Sequence, residues 1–259
     1  MDKKGILISI DGMRADGVQV CGNPYVEELK KIGSYTFNAR TVFPSVTLPC
    51  HMSLFHSVTP ERHGITTNTY VPQVRPINGL FEQINMSGKR SAMYYGWEPL
   101  RDISCPKSLV AAEYINAYSF EHTDAMLTDS AINYVKKAKP DFVFLYMVET
   151  DEKGGHDNGW MSTEYLGYIS TAIDQVERVY REVGNEYTIL VTADHGGHDR
   201  AHGTDLDEDM TIPMFFIGDE FTPGKEWNDE ISLLELAPTI ADVMGIPLSS
   251  DWEGRSLLK

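Results

Sequence analysis

Continuous apolar runs recur along the chain and are separated by segments with helical periodicity. The runs lie at residues 5–10, 141–148, 187–191 and 212–217. Uninterrupted apolar segments of this length are typical of strands that are buried on both faces, as in a parallel sheet. The alternation therefore predicts an α/β fold with a mostly parallel central sheet and helices on both faces.

Three helices are predicted between and after these strands. The clearest follows Ser162, where apolar residues at alternating spacings of three and four form one stripe, and it ends near Gly184. A second helix is predicted over about 123–139. We expect it to end there because Pro140 cannot continue a helix. A third is predicted from about residue 231 to 244, with a kink at Pro238.

Length and composition predict a single globular domain. The 259 residues are 42% hydrophobic and contain no repeat or low-complexity linker, so we assign residues 1–259 to one domain. The least regular segment, at about 68–105, is interpreted as a small cap insertion. Three irregularly spaced cysteines indicate a reducing compartment. No apolar stretch approaches the roughly 20 residues of a membrane span, and no signal peptide is apparent, so we expect a cytoplasmic protein.

The net charge limits the classes of partner that this protein can bind. Lys and Arg total 22 against 38 Asp and Glu, a formal net charge of −16. This acidity would repel a phosphate backbone, so neither a nucleic-acid polymer nor a membrane is expected as a partner. If the substrate is a small anion, a bound metal cation would have to supply local positive charge.

Acidic residues follow three of the predicted strands directly. Asp11 comes after the first strand, Asp151 after the second, and Asp194 with His195 after the third. Ligands of open parallel sheets bind outside the carboxyl ends of the strands, where these side chains would gather. Carboxylates crowded at one edge repel each other, and a divalent cation resolves that conflict.

Histidines strengthen this interpretation. His195, His198 and His202 lie within eight residues, and His156 lies five residues beyond Asp151. Asp and His ligands without a nearby cysteine suit zinc, or manganese or iron, better than a thiolate structural site. Each residue alone could equally be a cap or a solvated charge, but their joint occurrence at strand ends predicts a metal centre.

Thr47 is a candidate nucleophile. It precedes apolar residues at helical spacing, which places it at a helix N-terminus, where backbone N–H groups favour a phosphate. A threonine hydroxyl attacks effectively only when its proton is removed, and a bound metal ion can promote that removal.

The motifs resemble the nucleotide pyrophosphatase/phosphodiesterase branch of the alkaline phosphatase superfamily. The matching segments occur in that family's order: ISIDGMR (8–14), PSVTLPCH (44–51), HGITTN (63–68), TADHG (192–196) and HG (202–203). The resemblance implies an alkaline phosphatase-like core and a phosphodiester or pyrophosphate hydrolase. Its cofactors would be two divalent ions, zinc by family precedent, and its substrate a small phosphorylated molecule.

By the same resemblance, particular residues acquire roles. One ion would be held by Asp11, Thr47, Asp194 and His195, and the other by Asp151, His156 and His202. Thr47 would attack phosphorus to give a phosphothreonine intermediate, and Asn68 would hydrogen-bond a phosphoryl oxygen. Leu48 and Tyr146 stand where the family has an aromatic pair around a nucleobase, so we predict that both contact substrate.

The chain departs from the family pattern in three places. One extra residue separates Asp151 from His156, and we expect it to be absorbed at Gly154 and Gly155. His198 competes with His202 as a ligand, and the glycine that follows His202 favours the latter. Leu48 replaces the expected phenylalanine, which weakens the prediction of nucleotide preference.

Related activities form the alternatives. A sulfatase shares the scaffold, but its modified cysteine or serine and its arginine are missing here. A phosphonate hydrolase or a phosphomonoesterase of the same superfamily fits the same residues. Outside catalysis, the alternative is a metal-loaded protein that binds a phosphorylated ligand. Because few basic residues flank the motifs, diesters are expected to be preferred over monoesters.

Overall fold

The computed structural model describes residues 3–105 and 107–258, and its strands form one sheet in the order β4-β3-β5-β1-β6-β7-β2-β8. Strand β7 is antiparallel to β6 and β2, and the other neighbours in the described sheet are parallel. The strands are β1 Gly5–Ile10, β2 Ser34–Arg40, β3 Ser91–Tyr95, β4 Ala111–Tyr114, β5 Phe142–Met147, β6 Thr188–Thr192, β7 Thr211–Ile217 and β8 Ile231–Ser232.

Helices fill the connections between the strands. Two short 3₁₀ segments cover Glu98–Ile103 and Leu233–Glu235, and a π-helix covers Thr150–His156. The α-helices are α1 Ala15–Val20, α2 Tyr25–Ile32, α3 Thr47–His56, α4 Pro60–His63, α5 Leu80–Met86, α6 Thr123–Ala138, α7 Thr163–Val183, α8 Asp207–Met210 and α9 Leu236–Met244.

Strand β5 shows that helices cover both faces of the sheet. Its side chains alternate, so Phe144 packs against Phe55 of α3 and Phe81 of α5. The intervening Val143 and Leu145 lie against α6 and α7. All β5 side chains are buried, as the continuous apolar run predicts. The predicted α/β class is therefore confirmed.

Helix α7 follows its sequence signals closely. The Ser162 side chain accepts a hydrogen bond from the backbone N–H of Tyr165, which caps the first turn. At the other end, the N–H of Gly184 donates to the carbonyl of Tyr180. The predicted bounds of α7 are thus confirmed. Helix α6 covers Thr123–Ala138, which confirms the predicted range of about 123–139 as well.

The C-terminal helix begins later than predicted. Residues 231–235 form strand β8 and a 3₁₀ turn, and α9 begins only at Leu236. Pro238 therefore lies in the first turn, where its missing N–H costs no intrahelical bond, and the predicted kink is wrong. Gly245 ends α9 at a φ of 64°, a left-handed conformation that suits glycine.

The segment 68–105 is only partly irregular. It contains α5 and β3, and β3 pairs with β4 and β5 inside the sheet. The cap prediction is wrong for this strand, because its backbone bonds belong to the core. The assignment of residues 1–259 to one domain stays a prediction. In the part of the chain that the structure describes, no helix is long and apolar enough to cross a membrane.

Candidate active site

The three central strands end side by side. Strand β1 lies between β5 and β6 and is parallel to both, with Ile10 opposite Met147 and Ser9 opposite Thr192. The backbone N–H of Asp11 still donates to the carbonyl of Met147, so the first residue after β1 is held at the sheet edge. The acidic residues after these strands therefore meet at one place.

Asp11, Asp194 and His195 form a first group of buried side chains. Nε2 of His195 lies 3.3 Å from Oδ1 of Asp11 and 3.4 Å from Oδ2 of Asp194. Nδ1 of His195 lies 2.8 Å from the Gly196 carbonyl, which assigns the proton to Nδ1. The lone pair of Nε2 thus faces the two carboxylates, as it does in a metal-ligating histidine.

Thr47 opens helix α3 beside this group. Its Oγ1 lies 3.2 Å from Nε2 of His195, and the side chain is almost fully buried. The next N–H of the helix, that of Leu48, donates to Oδ1 of Asn68 over 3.0 Å. This bond orients the Asn68 amide so that its nitrogen can donate to a ligand at the helix terminus.

Asp151, His156 and His202 lie on the other side of the same space. Asp151 is 3.4 Å from Nε2 of His156 through Oδ2 and 4.0 Å from Nε2 of His202 through Oδ1. Nδ1 of His156 and of His202 approach the carbonyls of Arg200 and Ser45, respectively. Both Nε2 atoms therefore face Asp151.

The π-helix explains the unusual spacing of Asp151 and His156. A π-helical turn accommodates one residue more than an α-helical turn, so residues five apart come to one side. A Cβ atom on Gly155 would lie 2.5 Å from the Trp160 ring, and one on Gly154 would lie 3.1 Å from Tyr165. The extra residue is absorbed in this turn, and its two glycines permit the close packing.

The grouping of ligand atoms differs in two respects from the predicted sets. Two groups have ligand atoms within 4.8 Å of one another: Asp11, Asp194 and His195, and Asp151, His195 and His202. His195 belongs to both groups, whereas His156 belongs to neither, although its Nε2 lies 3.4 Å from Asp151 and its ring packs against His202. His156 is therefore the outermost of the predicted ligands.

The buried carboxylates lack partners that a cation would supply. Among the described residues, Oδ1 of Asp11, Oδ1 of Asp151 and Oδ2 of Asp194 are buried without a hydrogen bond. Leaving such atoms without a partner is costly, and a divalent ion satisfies several at once. The donor set of carboxylate oxygens and imidazole nitrogens fits zinc or a similar ion.

Electrostatics leads to the same conclusion. Burial, together with Asp194 and Asp151, raises the pKa of Asp11 well above its usual value, and burial also raises the pKa of Asp194. Asp151 raises the pKa of His156 to about 9, whereas burial lowers the pKa of His202 to about 4. The chain by itself thus crowds negative charge that a cation would relieve.

The packing of Leu48 and Tyr146 argues against the predicted substrate contacts. Both side chains are fully buried. Tyr146 points under helix α3, where its ring packs edge-on against His51 and its hydroxyl donates to Oδ2 of Asp11. Tyr146 can therefore orient a candidate ligand but cannot stack on a substrate.

The choice of His202 over His198 agrees with the geometry. Nδ1 of His198 lies 2.7 Å from Oδ1 of the fully buried Asp209. The other oxygen of Asp209 accepts bonds from the backbone and the hydroxyl of Thr204. His198 is thus tied away from the ligand groups and helps to hold the loop that carries His195 and His202.

A small cavity of about 70 Å³ opens onto the two groups. Besides predicted site residues, it is lined by Trp97, Tyr118, Val148 and Glu152. Trp97 lies in the segment at about 68–105 that the sequence analysis identifies as the least regular. Nothing in the local sequence pattern around Tyr118 indicates that it lines a site. The described part of the lining contains no Lys or Arg.

His51 also escaped prediction as a site residue, although it stands in the nucleophile motif. Its Nδ1 lies 2.8 Å from the Thr47 carbonyl and 3.4 Å from Oδ2 of Asp194, and its Nε2 accepts from the Ser9 hydroxyl. Burial lowers the pKa of His51 and favours the neutral form. The signal was available, since His51 lies one helical turn after Thr47 and so shares its face.

The family model and two similar proteins that match this chain are all phosphodiesterases or nucleotide pyrophosphatases. The type I phosphodiesterase/nucleotide pyrophosphatase model matches residues 5–211. Mouse ectonucleotide pyrophosphatase/phosphodiesterase family member 1 is 25% identical over 222 residues, which cover 74% of this chain and 24% of that protein. Venom phosphodiesterase 2 from Crotalus adamanteus is 27% identical over 74% of this chain and 26% of its own length. The chain spans about a quarter of these relatives.

Solved structures share the fold at low identity. Murine ectonucleotide pyrophosphatase/phosphodiesterase 5 matches with a TM-score of 0.80 and 16% identity, over 96% of this chain and 98% of that one. A phosphonate monoester hydrolase from Silicibacter pomeroyi matches with a TM-score of 0.76 and 16% identity, over 98% and 76%. These neighbours confirm the predicted alkaline phosphatase-like core.

Proposed function

The chain belongs to the type I phosphodiesterase/nucleotide pyrophosphatase family, and on that premise we propose that it is a metal-dependent phosphodiester or pyrophosphate hydrolase. Thr47 is the nucleophile. Two divalent ions, zinc in our proposal with manganese or iron as alternatives, are held by the two groups of Asp and His side chains. The substrate is a small phosphorylated molecule.

One observation carries this proposal: the Thr47 hydroxyl lies 3.2 Å from Nε2 of His195 and lines one cavity with Asp11 and Asp151, each of which has a buried oxygen without a hydrogen bond. A protein that only bound a metal for stability would close the site with its own ligands. Here a hydroxyl at a helix N-terminus borders the ligands, and a cavity reaches them from solvent. This combination supports nucleophilic attack on an anionic ester.

The chain's own residues have separable tasks in the reaction. Oγ1 of Thr47 forms a bond to phosphorus while the bond from phosphorus to the departing oxygen breaks, and the threonine proton passes through solvent to that departing oxygen. Water then hydrolyses the phosphothreonine, which releases the phosphorylated product and restores the hydroxyl. Asn68 donates from its amide to an oxygen on phosphorus, and the N-terminus of α3 stabilises the charge that develops there.

Asp11, Asp194 and His195 would hold one ion beside Thr47, and Asp151, His156 and His202 would hold the other. When bound, the ions supply positive charge that favours the ionised threonine and neutralises the phosphoryl oxygens. The remaining polar groups align the ligands: Tyr146 donates to Asp11, and Nδ1 of each ligand histidine approaches a backbone carbonyl.

The substrate class follows from the family and from the cavity. An inactive variant of the murine relative was solved in complex with AMP, so nucleotides belong among the candidate ligands. The buried positions of Leu48 and Tyr146 argue against a nucleobase sandwich at those residues. The cytoplasmic location expected from the sequence stays a prediction.

The test compares p-nitrophenyl substrates on the metal-loaded protein. We expect bis(p-nitrophenyl) phosphate to exceed p-nitrophenyl phosphate at least tenfold in kcat/KM. A diester carries one negative charge, whereas a monoester carries about two, and the described lining offers no Lys or Arg for the second. p-Nitrophenyl phenylphosphonate is included as the substrate of a phosphonate hydrolase.

Three outcomes would contradict the assignment. A tenfold monoester preference, about 1.4 kcal/mol in transition-state stabilisation, would make the protein a phosphomonoesterase. Preference for the phosphonate ester would make it a phosphonate hydrolase. Tight metal and phosphate binding without turnover of any ester would leave the ligand-binding alternative.

A further inference from the structure

Glu152 places a carboxylate at the cavity that the proposed reaction does not use. It follows Asp151 in the π-helix, is half-buried, and lines the cavity together with Trp97 and Tyr118. Its position is set by the same turn that brings Asp151 to His156. The side chain is thus adjacent to the candidate centre without belonging to either ligand group.

No Lys or Arg side chain contacts Glu152 in the described structure, and the basic side chain that feels its charge, His156, would become a neutral ligand once a metal is bound. The hydrogen-bond partner of Glu152 is the Tyr118 hydroxyl, which donates to Oε2 over 3.1 Å. The nearest basic residue in sequence, Lys153, is directed elsewhere and contacts Glu121 and Glu149 at 3.0 and 3.3 Å. A hydroxyl donor orients a carboxylate but leaves its negative charge in place.

A charge count shows what Glu152 does to a ligand. Before Thr47 loses its proton, Asp11, Asp151 and Asp194 would carry three negative charges when ionised, and two bound divalent ions would carry four positive charges. The centre is then left with about one positive charge, which matches one phosphodiester anion. Glu152 lies outside this balance, so any further negative charge on the substrate meets an uncompensated carboxylate in a partly desolvated cavity.

We propose that Glu152 is a specificity-determining residue that rejects substrates with a negatively charged ester arm. The inference rests on the proposed function and narrows it: the substrate is a diester with an uncharged or cationic arm, rather than a pyrophosphate or polyphosphate. The retained arm is the informative one, because it stays on phosphorus through both chemical steps. Trp97 and Tyr118 provide aromatic surface against which such an arm can pack.

The experiment uses three aryl diesters that differ only in the retained arm. Ethyl, 2-aminoethyl and 2-carboxyethyl p-nitrophenyl phosphate release the same p-nitrophenolate. For each protein, kcat/KM on each charged substrate is divided by kcat/KM on the ethyl ester. Because both values come from one preparation, the ratio does not depend on the fraction of active enzyme or on its absolute rate.

We expect the wild-type protein to discriminate against the carboxyethyl ester and Glu152→Gln to raise its ratio by about five- to tenfold, because one nearby repulsive charge is removed. The aminoethyl ratio should fall in the same variant. Glu152→Ala provides a second variant and should shift both ratios in the same directions. Glu164→Gln is the matched control, since it removes one exposed carboxylate, in the first turn of α7, that does not line the cavity, and should leave both ratios within twofold.

The outcomes separate this inference from the proposed function. If the wild-type protein hydrolyses the ethyl ester but Glu152→Gln and Glu152→Ala leave the ratios within twofold of wild type, Glu152 is not the selecting residue. If Glu164→Gln shifts the ratios equally, overall charge rather than Glu152 selects, and the inference is also overturned. If the wild-type protein hydrolyses none of the three diesters, the proposed function itself fails.

Discussion

Trp160 donates a hydrogen bond from its indole Nε1 to the backbone carbonyl of Gly12 over 2.9 Å, across 148 positions of sequence. The same ring lies edge-on against His156, and a Cβ atom on Gly197 would come within 2.2 Å of it. Trp160 therefore contacts the loops after β1, β5 and β6. These are the loops that deliver all candidate ligands except Thr47.

Replacing Trp160 should weaken metal binding more than its place outside the ligand groups suggests. We expect Trp160→Phe, which keeps a ring but loses the Nε1 donor, to raise the dissociation constant for zinc by about tenfold. Titration against a competing chelator measures this. Trp252→Phe is the matched control, because Trp252 also donates Nε1 to a backbone carbonyl, that of Asn78. If Trp160→Phe lowers the free energy of unfolding but leaves the affinity for zinc unchanged, Trp160 contributes only to packing.

Thr47→Ala should lower kcat to under about 1% of wild type while most bound metal remains. The hydroxyl is the proposed nucleophile, whereas the ions keep their carboxylate and imidazole ligands. Turnover and metal content are measured on the same sample, with Thr59→Ala, at the start of α4, as control. Activity above a few per cent would rule out the covalent route and require direct attack by water.

Metal analysis should give about two divalent ions per chain, because the candidate ligands exceed what one tetrahedral site uses. Asp151→Asn should lower the content by about one ion, since Asp151 is the carboxylate shared by His156 and His202. One ion in the wild-type protein, with no change in Asp151→Asn, would eliminate the second site.

Asp124 should make stability depend on pH. Burial, reinforced by Glu149, raises the pKa of this carboxyl to about 7, above its usual value of 3.8. The folded protein therefore holds a proton that the unfolded chain has lost, so the contribution of Asp124 to stability falls as pH rises from about 4 to about 7, by up to about 1.4 kcal/mol per pH unit.

The measurement is urea unfolding of the wild type and Asp124→Asn at several pH values. The difference in unfolding free energy between the two should shift against the wild type as pH rises through this window. Asp129→Asn, which removes an exposed carboxyl of the same helix, should show no such shift. A constant difference between the wild type and Asp124→Asn from pH 5 to 8 would contradict the raised pKa.

Local sequence patterns were sufficient to predict the main strands of the sheet and the ends of helix α7. The apolar runs marked β1, β5, β6 and β7 because burial on both faces requires apolar side chains at consecutive positions. The signals around α7 marked its ends because capping involves residues within one turn. The acidic residues after the strands could be read as one cluster, since parallel strands bring their carboxyl ends to the same edge.

Tertiary structure alone decided what each side chain contacts. Tyr146 was expected at the substrate, but the pleat of β5 and the packing of α3 direct it to Asp11, 135 positions away in sequence. The hydrogen bond from Trp160 to Gly12 likewise spans 148 positions. The contact of His198 with Asp209 spans 11 positions, which also exceeds the reach of a local pattern. Periodicity and capping encode the environment of a residue within a few positions, whereas these contacts are set by how the finished elements pack.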